Sequence, residues 1–352
     1  MQVREWRKRP SVRSRAIFFR TLSLFSSGGI PLHRALRLLS LDPDEPMAEV
    51  SRAVATRLDR GESLSQAMAA HYDVFSGLQS RLVRVGEISG SVHVVLRRLA
   101  EFEEKQLMST ARARAALTYP AVLLLICLLM VTIVPPYLFG GLYPIIESSG
   151  VQVWWPTRCL MALSQALRSP WFLVLGLGAA GGIAALIRRL AGRPRVRRVA
   201  MAWLLRVPGL GRTLRTLAVT RFAQALALMV QVGVPIVSAL ELAGQSSDNP
   251  VLEERMPDAI RALVNGSALS VSLQVTEFFP KLVLLAVNVG QDSGALGGIL
   301  EKLAEIYEVQ LEHDLETLAA MAEPLIVMFL GAVVAVVTLA SLVPLVQVIQ
   351  TL

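Results

Sequence analysis

Cysteine is nearly absent: 352 residues hold two, Cys127 and Cys159. One lies inside an apolar run and the other in the polar stretch that follows, so no intramolecular disulfide is expected. Histidine is also scarce. His33, His71, His93 and His313 are scattered, with no His-x-x-x-His pair and no cysteine companion, which argues against a zinc site. No Gly-x-x-x-x-Gly-Lys-Ser/Thr stretch occurs, so the chain lacks a P-loop and is not expected to hydrolyse ATP. Alternating strand patterns are few. The long apolar runs contain no Asp, Glu, Lys or Arg, so no ion or proton path is marked within them. The basic stretch 1–15 is not followed by a continuous apolar segment and reads as a membrane-surface or disordered arm, not a cleavable signal.

What is present is apolar and helical. The chain is 53% hydrophobic and 18% charged, with a net charge of +8 and a mean hydropathy of +0.53. That is too apolar for a soluble protein and too charged for one made only of membrane spans. Ala121 to Val134 carries ten Leu, Ile or Val residues and no charge. At roughly −0.3 to −0.6 kcal/mol each on an insertion scale, they outweigh the cost of a central charge, about 3 kcal/mol. Leu325 to Val346 is 22 residues without a charge, enough to cross about 30 Å of hydrocarbon as a helix. Trp171 to Ile187, 17 residues and rich in glycine, is marginal by length. Gly178 and Gly182 within it form a Gly-x-x-x-Gly pair of the kind that lets helices approach closely.

The chain repeats itself. Leu22 to Leu36 matches Leu226 to Leu240, with Gly29 and Pro31 answered by Gly233 and Pro235. Val85, Gly86, Glu87, Ile88, Ser89 and Gly90 are answered by Val289, Gly290, Gln291, Asp292, Ser293 and Gly294. Pro120 and Pro324 each open a long apolar run. All three matches share one offset, 204 residues, so the unit is duplicated. Two copies in one orientation enter a membrane from the same side, and a return crossing is then needed. Trp171 to Ile187 stands in the right place and has no counterpart in the repeat.

Charge gives the direction. Of 35 Lys and Arg, 19 fall in 1–117 and 14 in 188–322, while the stretch 139–170 holds only Arg158 and Arg168. Basic residues near span ends stay on the cytoplasmic side, and anionic lipid accounts for the positive balance without nucleic acid. The expected order is a basic arm (1–15), a first cytosolic helical domain (16–117), a span (118–138) and an outer loop (139–170). A second span (171–187), a second cytosolic domain with a basic linker (188–322) and a third span (324–346) follow, with the C-terminus outside.

Within the domains, Leu300, Leu303, Tyr307, Leu311, Leu315 and Leu318 recur at helical steps, with Glu301, Glu305, Glu308, Glu312 and Glu316 on the other side. Val92, Leu96, Leu99 and Leu107 form a similar stripe in the first copy. The two Gly-x-Pro segments read as turns, glycine closing one helix and proline opening the next. In Gly86 to Gly90, Gly86 is expected to end a helix, Ser89 to cap the next and Gly90 to permit close approach. Short turns between helices give antiparallel neighbours and about six helices per copy. Glu101, Glu103 and Glu104 read as a solvated helix face, not a cation site.

These paired Gly-x-Pro turns, the Val-Gly-Glu-x-Ser-Gly motif and the proline-led apolar runs resemble the type II secretion F family over about residues 18–346. That family includes the inner-membrane platform proteins of type II secretion and type IV pilus assembly. The resemblance implies an all-α membrane protein with two homologous cytosolic six-helix bundles and three transmembrane helices. It also implies a non-enzymatic role without cofactor or metal: coupling a cytosolic hexameric ATPase to extraction of pilin or pseudopilin subunits, as a dimer or higher oligomer. Gly29, Pro31, Gly86, Glu87, Gly90, Pro120, Gly233, Pro235, Gly290, Gly294 and Pro324 carry the family pattern. Gln291 departs from it, so an acidic role at that turn is supported only at Glu87. Glu305, Glu308 and Glu312 are a candidate ATPase-docking face. A small-molecule transporter, the main alternative suggested by a repeat, would need polar or broken spans, which this sequence does not offer.

Overall fold

The computed structural model describes residues 10–42, 46–148, 158 and 194–351. Helix is the only regular structure among them. In the first repeat the helices are α1 (Val12–Ser27), α2 (Leu32–Leu39), α3 (Ala48–Asp59), α4 (Leu64–Ala69), α5 (Gly77–Ile88) and α6 (Val92–Ser148). A connecting helix, α7 (Pro194–Leu204), follows. The second repeat holds α8 (Leu210–Val232), α9 (Ile236–Ser246), α10 (Pro250–Val264), α11 (Leu269–Gln274), α12 (Lys281–Asp292) and α13 (Leu296–Thr351). Shifted by the repeat offset, α5 superposes on α12 residue for residue, and α6 and α13 begin at equivalent positions.

Local chemistry sets these boundaries. Ser63 and Ser76 each accept a hydrogen bond from a backbone N–H of the next turn, and the Oε1 atoms of Gln66 and Gln79 accept one from the serine backbone N–H, giving α4 and α5 reciprocal capping boxes. Asn249 caps α10, whose first residue is Pro250. Phenylalanines repeat in the core. Phe18 packs on Phe75 at 5.6 Å between ring centroids, and their equivalents Phe222 and Phe279 pack at 4.7 Å. Such pairs add about 0.5–1.5 kcal/mol to the area they bury.

The described chain falls into two compact units, one drawn from 1–113 and 200–314, the other from 114–199 and 315–352. In the first unit both repeats share one continuous apolar core. The sequence separates them as two domains; the fold joins them through α5 and α6, which pack against α8 and α9. Gly77 lies so close to α9 that a Cβ there would sit 3.5 Å from Leu242 Cδ2, and Arg81 reaches Glu241 across the same junction.

Helices α6 and α13 are each long and apolar enough to cross a membrane. Val122, Leu124, Leu125, Ile126 and Leu128 on α6 are exposed, as are Leu325, Val327, Met328 and Phe329 on α13. Core helices of soluble proteins bury such residues. Neither Pro120 nor Pro324 starts a helix: each lies inside a continuous one that began about 28 residues earlier. Helix α6 also continues to Ser148, beyond the expected end of the span at 138. In the second unit the Tyr119 hydroxyl donates to Glu323 Oε1 at 3.3 Å, joining equivalent positions of the two repeats just before the two prolines. The expected span at 171–187, with Gly178 and Gly182, lies outside the described residues, as does Cys159. Cys127 is buried and free.

Candidate functional site

The two Gly-x-Pro turns are built alike. Gly29 and Gly233 are left-handed, with φ of 76° and 87°. Ile30 N–H donates to Phe25 O at 3.0 Å and Val234 N–H to Met229 O at 2.9 Å, so each turn closes the preceding helix in the Schellman manner. Pro31 and Pro235 then stand as N-caps of α2 and α9.

The Val-Gly-Glu-x-Ser-Gly turn corrects the sequence reading in three places. Gly86 does not end a helix. It lies inside α5, buried, where a Cβ would sit 2.8 Å from Val95 Cγ2 and 3.2 Å from Val92 Cα. Gly86 therefore provides the close approach expected of Gly90. Gly90 is the left-handed residue, at φ 69°. Ser89 does not cap the next helix; it closes α5, its hydroxyl donating to Val85 O at 2.9 Å. In the second copy Gly290 approaches Leu296 and Gly294 is left-handed, so both turns share one construction.

Glu87 reaches across this turn to the start of α4. Its Oε1 accepts from Leu64 N–H at 2.6 Å and Ser65 N–H at 3.3 Å, and its Oε2 accepts from the Ser65 hydroxyl at 2.5 Å. A carboxylate here satisfies amides that the short helix leaves unpaired and lies at the positive end of its dipole. Gln291 does the same for α11, its Oε1 accepting from Leu269 N–H at 3.0 Å. The glutamate-to-glutamine difference follows from the partner. Ser270, second in α11 as Ser65 is in α4, donates its hydroxyl to Asn288 Oδ1 at 3.1 Å instead, so a single amide oxygen at Gln291 suffices.

The acidic face of α13 is largely engaged within the chain. Glu301 accepts from Gln231 Nε2 at 2.8 Å and Glu305 from Lys302 Nζ at 2.8 Å. Arg112 of α6 lies against both Glu308, at 3.6 Å, and Glu312. Of the three carboxylates in the candidate docking face, Glu305 alone is exposed, while Glu308 and Glu312 are half-buried.

One acid sits where sequence reasoning placed a solvated surface. Glu103 is buried; Gln79 Nε2 donates to its Oε1 and Arg15 Nε to its Oε2 at 3.3 Å. Burial pushes its pKa up, an effect that the Arg15 charge and the two hydrogen bonds oppose. The second repeat has Val219, Val283 and Tyr307 at the three equivalent positions. Its own buried acid, Asp314, accepts from Thr216 Oγ1 at 2.7 Å and Gln310 Nε2 at 2.8 Å. Among the described residues no cluster of His, Cys, Asp or Glu could hold a metal ion.

This is a construction of helix turns, caps and packed faces in duplicate. The family described as type II secretion system (T2SS), protein F matches residues 18–138 and 222–344, one stretch in each repeat. The chain belongs to this family. Its relatives carry both branches of the family's names. The type IV pilus assembly protein PilC of Thermus thermophilus is 34% identical over 97% of this chain and 84% of its own length. The type II secretion system protein F of Pseudomonas aeruginosa is 29% identical over the same shares. The type IV pilus assembly protein TapC of Aeromonas hydrophila is 27% identical over 94% of this chain and 80% of its own length. The three matches each cover 94–97% of this F-family chain.

Proposed function

We propose that this chain is the membrane platform of a type IV pilus or type II secretion machine. The family match across both repeats carries the reading. On it, each repeat is a six-helix cytosolic bundle, and α6 and α13 cross the inner membrane outward, with 171–187 as the return crossing and the C-terminus outside. The charge distribution supports that orientation, because the stretch 139–170 is the one poor in Lys and Arg. The two long helices leave one jointly packed unit. A push on the cytosolic side would then reach both spans together. The partners are a hexameric cytosolic ATPase and pilin or pseudopilin subunits, which the platform helps lift from the membrane. The platform performs no chemistry of its own. Glu305 is the exposed carboxylate through which the ATPase would dock; Glu308 and Glu312 act with Arg112 to hold α13 beside α6.

Deleting the gene in its host should abolish surface filaments or secretion of the exported proteins, while prepilins accumulate, processed, in the membrane. A plasmid copy should restore assembly. Normal filaments and normal secretion in the deletion strain would contradict the reading.

A further inference from the structure

The junction between the repeats uses one face of each and leaves the equivalent face of the other repeat bare. Within the chain, α5 and α6 of the first repeat cover α8 and α9 of the second. Leu78, Phe102, Leu228 and Leu242 are at most 8% exposed there. Their equivalents in the opposite repeats are Leu282, Ile306, Leu24 and Leu38. All four remain apolar, and they are 49%, 55%, 61% and 42% exposed. Leu285 and Val309 extend the bare face on α12 and α13, at 62% and 67%. Leu282 and Ile306 line one cleft with Tyr307, Arg212 and Arg215. Contiguous apolar surface of this kind marks an interaction site.

We propose that a second copy of this chain covers it, remaking the internal junction between molecules. The α1/α2 face of one copy, with Leu24 and Leu38, seats on the α12/α13 face of the next, with Leu282, Leu285, Ile306 and Val309. The occupant follows from the internal junction, where the homologous pair of faces already fits. The rim agrees. At the internal junction Glu101 and Gln224 line one pocket; their equivalents are Glu305 and Arg20, an opposite-charge pair. Where Arg81 meets Glu241 internally, the equivalents are Leu285 and Arg37, so a leucine meets the arginine stem. The contact is head-to-tail, since each copy offers a different face, and it extends to a ring or a row. A seated copy covers Glu305, so self-association and ATPase docking at that residue exclude each other on any one subunit. The inference does not rest on the platform reading.

Light scattering on the full chain in detergent tests it. Wild type is expected to run as a dimer or larger. Leu24→Asp and Ile306→Asp, both at exposed positions, should each give monomer with an unchanged unfolding midpoint. Gly77 beside Leu242 corresponds to Lys281 beside Leu38. On a Cys127→Ala, Cys159→Ala background, Lys281→Cys and Leu38→Cys chains should form a disulfide-linked dimer when co-expressed, and neither should do so alone. Three results would overturn the proposal: a monomeric wild type, which would leave the two faces to another protein; an oligomer that both aspartate variants leave intact; or cross-linking by one single-cysteine chain with itself.

Discussion

Valine at position 86 is expected to unfold the first repeat. Gly86 is helical, so its φ carries no strain, and the space around it decides the outcome. A Cβ would lie 2.8 Å from Val95 Cγ2 and 3.1 Å from Val95 Cβ, with Val92 Cα at 3.2 Å. Val95 is β-branched and buried, and Val92 presents backbone, so neither can turn aside. Overpacking by one methyl costs about 1–3 kcal/mol. Valine brings two methyls more and forces α5 away from α6, against a total stability of about 5–15 kcal/mol for a domain. Gly90→Ala is the control. That residue is left-handed with nothing within 4 Å, so alanine meets only backbone strain of about 1 kcal/mol. Thermal unfolding of the full chain in detergent should show Gly86→Val failing to accumulate or melting far below wild type, with Gly90→Ala only slightly shifted. Equal midpoints for Gly86→Val and wild type would mean that α5 and α6 do not approach as described.

Glu103 carries the second large effect. Truncation by Glu103→Ala leaves Gln79 buried and Arg15 three-quarters buried without their partner, which should cost about 3–5 kcal/mol. The second repeat suggests its own remedy. Arg15→Val, Gln79→Val and Glu103→Tyr together install the apolar set found at 219, 283 and 307, and should recover most of that loss. A triple variant as unstable as Glu103→Ala would show that the two cores are not interchangeable here. The group also gives a pH dependence. Its pKa is raised in the fold, so the folded state favours the protonated carboxyl. Its contribution to stability is therefore complete below the ordinary carboxylate pKa and is lost as pH rises through the raised value. Glu103→Gln should remove that component from the midpoint-versus-pH curve.

The repeat was legible because three landmarks share one offset, and the helices followed from their stripes and turns. Leu300, Leu303, Tyr307 and Leu311 are buried as the spacing requires. Glycine roles were harder to read. Both Gly86 and Gly90 fit a turn, and only the packing of Val95 against α5 shows which one needs space and which needs a left-handed backbone. The position of Glu103 was in principle readable. It is equivalent to Tyr307, which lies on the buried stripe, and the run of acids around it suggested a wet surface instead. The internal pairing of Glu308 and Glu312 depends on Arg112, nearly 200 residues away and joined only by the fold. The junction between repeats was not visible, because α5 and α12 carry similar apolar faces and nothing local says which one is covered.

The most direct test of the platform account is co-purification of the detergent-solubilised chain with the host's assembly ATPase, recording the ATPase rate with and without it. The account predicts a stable complex and a changed rate, both weakened by Glu305→Lys. A folded chain that neither binds the ATPase nor alters its rate would contradict it.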